Sequence, residues 1–211
     1  GWRLRRAPWE AVTSLRASLS VPQRATLIAL IMILLWLEWG PRRGALWVWL
    51  PLALPALPLV SGQYRVALWL GIDGQYAAVL WSHLLWVLPW MLLILQPAWR
   101  RIDPRLLLTA RTLGWRRTKV FCLIKCPLLL RPALLAFATG FSVSMAQYMP
   151  TLWLGAGRFS TLTTETVALS SGGSIPILAN RALWLLLVTG AVFGVAALLS
   201  RLAGHYRRGL R

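Results

Sequence analysis

Apolar residues in this chain fall into long runs, and most of the basic residues lie between them. A helix needs about 20 apolar residues to cross the hydrocarbon core of a bilayer. Five stretches meet or approach that length: Thr26–Trp39, Gly44–Val60, Tyr76–Gln96, Pro132–Pro150 and Ala182–Ala203. The first is uninterrupted for only 14 residues but extends back to Val21. Pro51, Pro55 and Pro58 predict a kink in the second, tolerated where neighbouring helices or water satisfy the freed carbonyls. Gly140, Ser142, Ser144, Gly190 and Gly194 predict close helix packing. The fold class is therefore all-α, a polytopic transmembrane helical bundle of about five spans.

Charge sets the orientation. The segment Pro97–Arg131 holds nine Lys or Arg against one acid, Asp103, whereas Ser61–Gln75 and Thr151–Arg181 hold one and two basic residues. The positive-inside rule puts the Pro97–Arg131 loop, the Pro41–Gly44 turn and the C-terminus in the cytoplasm. Five spans then place the N-terminus outside, against the five arginines Arg3, Arg5, Arg6, Arg16 and Arg24; a further span upstream would reconcile the two. The expected organisation is a basic segment 1–22, periplasmic if an upstream span exists, a membrane domain 23–204 with a cytoplasmic loop 97–131, and a cytoplasmic tail 205–211.

The composition narrows the classes further. The net charge of +18 is one that nucleic-acid binders reach, but such proteins do not carry apolar runs of this length, and 58% hydrophobic residues exceed what a soluble domain can hide. A nucleic-acid partner is excluded, and the bilayer is the expected surroundings. Cys122 and Cys126 sit one helical turn apart, but no His or further Cys stands near to complete a metal site, so no metal is expected. An intramembrane enzyme needs converging carboxylates, His or a nucleophile at one depth. The five acids, Glu10, Glu38, Asp73, Asp103 and Glu165, all lie away from mid-span, and no catalytic residue is assigned. No G-x-x-x-x-G-K-[ST] phosphate loop occurs and no cofactor is expected.

Within the basic loop, Asp103-Pro104 is a helix start, with a carboxylate at the N-cap and Pro at the first helical position. Leu106, Ala110 and Leu113 form one apolar stripe, and Gly114 stands where a left-handed residue ends a helix. A second short helix, Trp115–Cys126, is expected to stop at Pro127. On physics alone such a pair of amphipathic helices could also lie on anionic lipid. Polar residues within the apolar runs are the other clue, because buried polar groups in lipid mark pathways or helix contacts. His83 reads as a satisfied interhelical donor, and Gln147 and Tyr148, near the outer end of the fourth run, as pathway-lining residues.

The stretch Leu108-Thr109-Ala110-Arg111-Thr112-Leu113-Gly114, followed nine residues later by Ile124-Lys125-Cys126-Pro127, resembles the EAA loop of binding-protein-dependent ABC transporter permeases. That pattern reads Glu-Ala-Ala, three residues, Gly, nine residues, Ile-x-Leu-Pro. Gly114, Ile124 and Pro127 match it in identity and spacing; Leu108, Thr109 and Cys126 depart from it. The resemblance covers the chain from about Thr13 onward and implies an ATP-driven importer of the bacterial inner membrane. It implies that Leu108, Thr109, Ala110, Gly114, Ile124 and Pro127 form the docking loop for cytoplasmic ATP-binding subunits. A periplasmic solute-binding protein would contact the loops around Gly62–Gly74 and Leu154–Ser174. A second permease half would complete the pathway, this chain being the C-terminal part of a fused pair. In such permeases the Glu at position 108 makes a charged contact with the ATPase, so Leu108 marks a divergent loop. The alternative is a secondary transporter driven by an ion gradient, supported by His83 and the Pro-rich second run.

Overall fold

The computed structural model describes residues 8–41, 46–159, 161–170 and 175–208, and every regular element among them is helical. In chain order these are α1 (Pro8–Trp39), α2 (Leu46–Ala53), α3 (Ala56–Leu70), α4 (Tyr76–Arg100), α5 (Pro104–Thr112), α6 (Arg117–Val120), a π turn (Phe121–Lys125), α7 (Cys126–Met145), α8 (Met149–Leu154), α9 (Leu162–Ser170) and α10 (Ile175–Arg208). Among the described residues four stretches are long and apolar enough to cross a membrane: Ser18–Trp39, Tyr76–Arg100, Arg117–Met145 and Leu178–Leu202.

The expected second span, Gly44–Val60, is not one helix. It is split between α2 and α3 at Leu54-Pro55. Pro55 disfavours the helical conformation of the residue before it, so the chain restarts with Pro55 at the N-cap of α3. Pro51 stays inside α2, and Pro58 falls in the first turn of α3, where its missing N–H has no intrahelical partner to lose. The connector expected at Ser61–Gln75 is correspondingly shorter. Helix α3 runs on to Leu70 and ends at Gly71, whose φ of 66° closes it in the left-handed region.

The fourth span also ends earlier than its apolar run suggested. Pro150 has no N–H to bond one turn back, so α7 stops at Met145 and the chain restarts with Pro150 in the first turn of α8. Gln147 and Tyr148 therefore lie in the turn between two helices, not within a span. Its beginning differs too. Pro127 was expected to end a preceding helix, yet the helix is continuous from Arg117 to Met145. The π turn accommodates the proline: its wider ladder brings the Cys126 N–H to the Phe121 carbonyl and lets Pro127 enter without a break.

Helices α1, α4 and α7 pack against one another around Ala29, Ile33, Val87, Met91, Leu92, Leu95 and Ala136, all essentially inaccessible. The closest approach is at Gly140 on α7. A Cβ built there would lie 2.7 Å from Met91 Sδ and 3.0 Å from Thr26 Cγ2, so the glycine is what lets three helices meet. Gly190 and Gly194 on α10 do not play that part, because a Cβ at either would meet nothing within 4 Å. Helix α10 packs against α7 and α9 and leaves Leu183, Leu186, Leu187 and Leu198 exposed.

The bundle has two chemically different ends. One carries α5, α6 and the π turn with Arg100, Arg101, Arg105, Arg111, Arg116, Arg117 and Lys119. The other is closed by the 71–75 turn, α8 and the chain after it. There the Gly74 N–H donates to the Leu154 carbonyl at 2.8 Å, and Arg158 packs over Gly74.

Candidate functional site

The basic end is built around α5. Asp103 caps it, its Oδ1 accepting from the Arg105 N–H at 2.9 Å, with Pro104 at the first helical position. Its far end is a Schellman cap: the Gly114 N–H donates to the Arg111 carbonyl at 2.9 Å and the Trp115 N–H to the Ala110 carbonyl at 3.1 Å. Gly114 has a φ of 77°, a conformation costly for any residue with a Cβ. A rigid nine-residue helix thus turns sharply into the helix that becomes α7.

The side chains predicted to dock divide in two. Ala110 is buried, so the expected stripe is covered at its middle, while Leu106 and Leu113 remain exposed, Leu113 by 70%. Leu108, in the position of the family's Glu, is 61% exposed. The Thr109 hydroxyl is used within the helix, donating to the Arg105 carbonyl at 3.0 Å. Gly114 joins this group directly, whereas Ile124 lies within the π turn and Pro127 just beyond it, half-buried and exposed respectively. Exposed leucines on a short helix in so basic a segment form an apolar patch of the kind that marks a contact with protein or membrane.

The group that sequence reading missed is Glu38. It is the last residue but one of α1, its side chain is only 2% exposed, and its carboxylate joins the start of α6 to the end of the π turn. Arg117 Nε donates to Oε1 at 2.7 Å, Lys125 Nζ donates to Oε2, and Arg117 Nη2 donates to the Glu38 backbone carbonyl. Aromatic rings surround the charges. Lys125 Nζ lies 4.4 Å from the Trp99 ring and the Arg117 guanidinium 5.8 Å from that of Trp39. Trp39 and Phe121 meet edge-on at 5.0 Å. The signal was present in the sequence: an acid inside an apolar run must be paired, and the charge rule put the end of that run on the same face as the basic loop.

The opposite end holds a buried polar cluster joining α4, α7 and α8. His83 Nε2 lies 2.9 Å from Thr151 Oγ1 and Nδ1 lies 2.6 Å from Ser144 Oγ. The Thr151 hydroxyl donates to the Gln147 carbonyl at 2.8 Å, which leaves Thr151 only as an acceptor toward the ring. The ring proton is therefore on Nε2, and Ser144 donates to Nδ1. His83 is the satisfied interhelical group its sequence position suggested. Removing it with His83→Leu strands the Ser144 hydroxyl and is expected to cost about 1–3 kcal/mol, measured as a lowered unfolding midpoint in detergent.

Gln147 borders a small cavity beside this cluster with Ser18, Pro22, Thr161 and Thr163. Both polar atoms of its amide are buried without a partner. Tyr148, next to it, is half-buried. The two candidate pathway residues therefore lie at the end of the bundle remote from α5.

No family model matches the chain. Over 194 residues, 92% of its length, it is 65% identical to the inner membrane ABC transporter permease protein YnjC of Escherichia coli strain K12. The chain belongs to the ABC transporter permeases. A more distant relative is the spermidine/putrescine transport system permease protein PotC homolog of Mycoplasma genitalium, 27% identical over 106 residues, or 49% of the chain. The chain spans 38% and 37% of the lengths of these two relatives. A permease identity fits what the residues show: several membrane-spanning helices and a membrane protein whose polar groups gather at its two ends.

Proposed function

We propose that this permease is the translocating part of an ATP-driven importer in the bacterial inner membrane. ATP is hydrolysed by separate subunits docked on the loop 97–131. The observation that carries this is the construction of α5: a helix capped at both ends, presenting Leu106, Leu108 and Leu113 to the outside and turning at Gly114 into a membrane-spanning helix. Such a part transmits movement as a lever does, because both its shape and its footprint are fixed. In this reading the basic end and the C-terminus face the cytoplasm. A periplasmic solute-binding protein meets the 71–75 turn and the chain after α8. A second permease half completes a pathway on which Gln147 and Tyr148 lie.

The charge rule supports the orientation, and the unpartnered amide of Gln147 supports the pathway assignment. An ion-gradient mechanism is the weaker reading, since both nitrogens of His83 are already engaged. Gly114→Leu separates coupling from folding and docking. Nothing crowds that position, so the change adds only the left-handed strain of about 1–2 kcal/mol. The variant is expected to insert and to bind the ATP-binding subunit, while ATP hydrolysis no longer drives uptake into proteoliposomes. Uptake at the native rate would overturn the assignment.

A further inference from the structure

We infer that Glu38 is the positioning residue through which movement of the docking hairpin enters the bundle; this rests on the docking reading above. Three observations carry it. Glu38 holds Arg117, the first residue of α6, and Lys125, the last of the π turn, so one carboxylate spans the element where the hairpin joins α7. π turns are rare within α-helices and occur frequently at functional sites. The grip is also double, because Arg117 binds both the carboxylate and the backbone carbonyl of residue 38. A shift of α6 against α7 therefore cannot occur without pulling the end of α1 or releasing it.

What lies at the other end of α1 gives the grip its consequence. From Glu38 back to Pro22 no proline interrupts the helix, a rod of about 24 Å. Its far end, at Ser18, Val21 and Pro22, lines the cavity that Gln147 and His83 also border. The helix is packed on α4 and α7 along the way through Ala29 and Ile33. One buried carboxylate thus connects the docking hairpin to the cavity by a single rigid element. The hydrogen bonds that hold α4 to α7 and α8 adjoin that cavity and would feel any displacement of α1.

The test uses the intact permease with its ATP-binding subunits in lipid nanodiscs, with ATP and vanadate as the only added ligands and amide hydrogen exchange as the readout. In the native complex, trapping with vanadate is expected to change exchange both in 104–126 and in 145–163. Glu38→Gln keeps the shape and removes the charge. It is expected to retain assembly, ATP turnover and the change in 104–126, while the change in 145–163 falls about fivefold. Glu38→Asp, which keeps the charge toward both cations, is expected to restore at least half of the response at 145–163 while assembly and turnover stay as in Glu38→Gln. A native response at 145–163 in Glu38→Gln would overturn the inference, as would loss of assembly and turnover in the same proportion as that response. A native complex that changes at 145–163 but not at 104–126 would overturn the docking reading itself, and the inference with it.

Discussion

Gly140→Val is expected to be among the most damaging single changes in this chain. The added side chain would enter the crossing of α1, α4 and α7, where Met91 Sδ and Thr26 Cγ2 already stand within 3.0 Å of a Cβ position. Met91 is flexible but fully buried, with Leu92, Leu95 and Ala136 in the same core, so it has no open space to swing into. Thr26 is held by its own hydroxyl, which donates to the Pro22 carbonyl at 2.6 Å. Neither neighbour yields cheaply, and the helices must part. Overpacking of a tight core costs about 1–3 kcal/mol and sometimes more; a branched residue at this crossing belongs at the upper end. The check is thermal unfolding in detergent, with Gly190→Val as the comparison. That site is open and is expected to change the midpoint little.

Glu38→Ala is expected to cost about as much for a different reason. Removing one member of a buried ionic group typically costs about 3–5 kcal/mol, because the remaining charge is left uncompensated. Here two cations lose their acceptor at once. Arg117 is half exposed and can turn to solvent, but the side chain of Lys125 is only 12% exposed and keeps just the Trp99 ring. We expect a value near the lower end, about 3 kcal/mol, since the group sits at the end of the bundle where Arg117 reaches solvent. Lys125→Met should cost less than Glu38→Ala, because Glu38 then still holds Arg117. An unfolding midpoint for Glu38→Ala equal to that of the native chain would show that the buried carboxylate contributes nothing to holding α1 against the hairpin.

These two positions also show what could and could not be read from the residues alone. Local devices were legible because their chemistry is local. Asp103-Pro104 starts α5 and Gly114 ends it because an N-cap carboxylate and a left-handed glycine act within a few residues of themselves. Gly140 was singled out as a packing residue, but so were Gly190 and Gly194, and only a neighbour's position separates a used glycine from an idle one. The prolines were harder. Pro55 breaks its helix, Pro150 restarts one, and Pro127 passes through because a π turn precedes it. One residue type gave three outcomes, decided by where each proline falls relative to its helix. Glu38 escaped notice because its partners lie 79 and 87 residues away.

The candidate site divides in the same way. The proposed docking segment was picked out by spacing, because Gly114, Ile124 and Pro127 keep the family's intervals. Its outward leucines needed the structure, since Ala110, in the middle of the predicted stripe, turns inward. Gln147 and Tyr148 were drawn from an apolar run that proved to end before them, yet the turn they occupy is what places the Gln147 amide at the cavity.

The most direct test of the account is photocrosslinking of the assembled transporter in its native membrane. A benzoylphenylalanine would replace Leu113 in one sample and Trp69, which is highly exposed on α3 away from the basic hairpin, in another. An adduct between position 113 and the ATP-binding subunit is expected, and none with that subunit from position 69. An adduct with the ATP-binding subunit from position 69 but not from position 113 would contradict it.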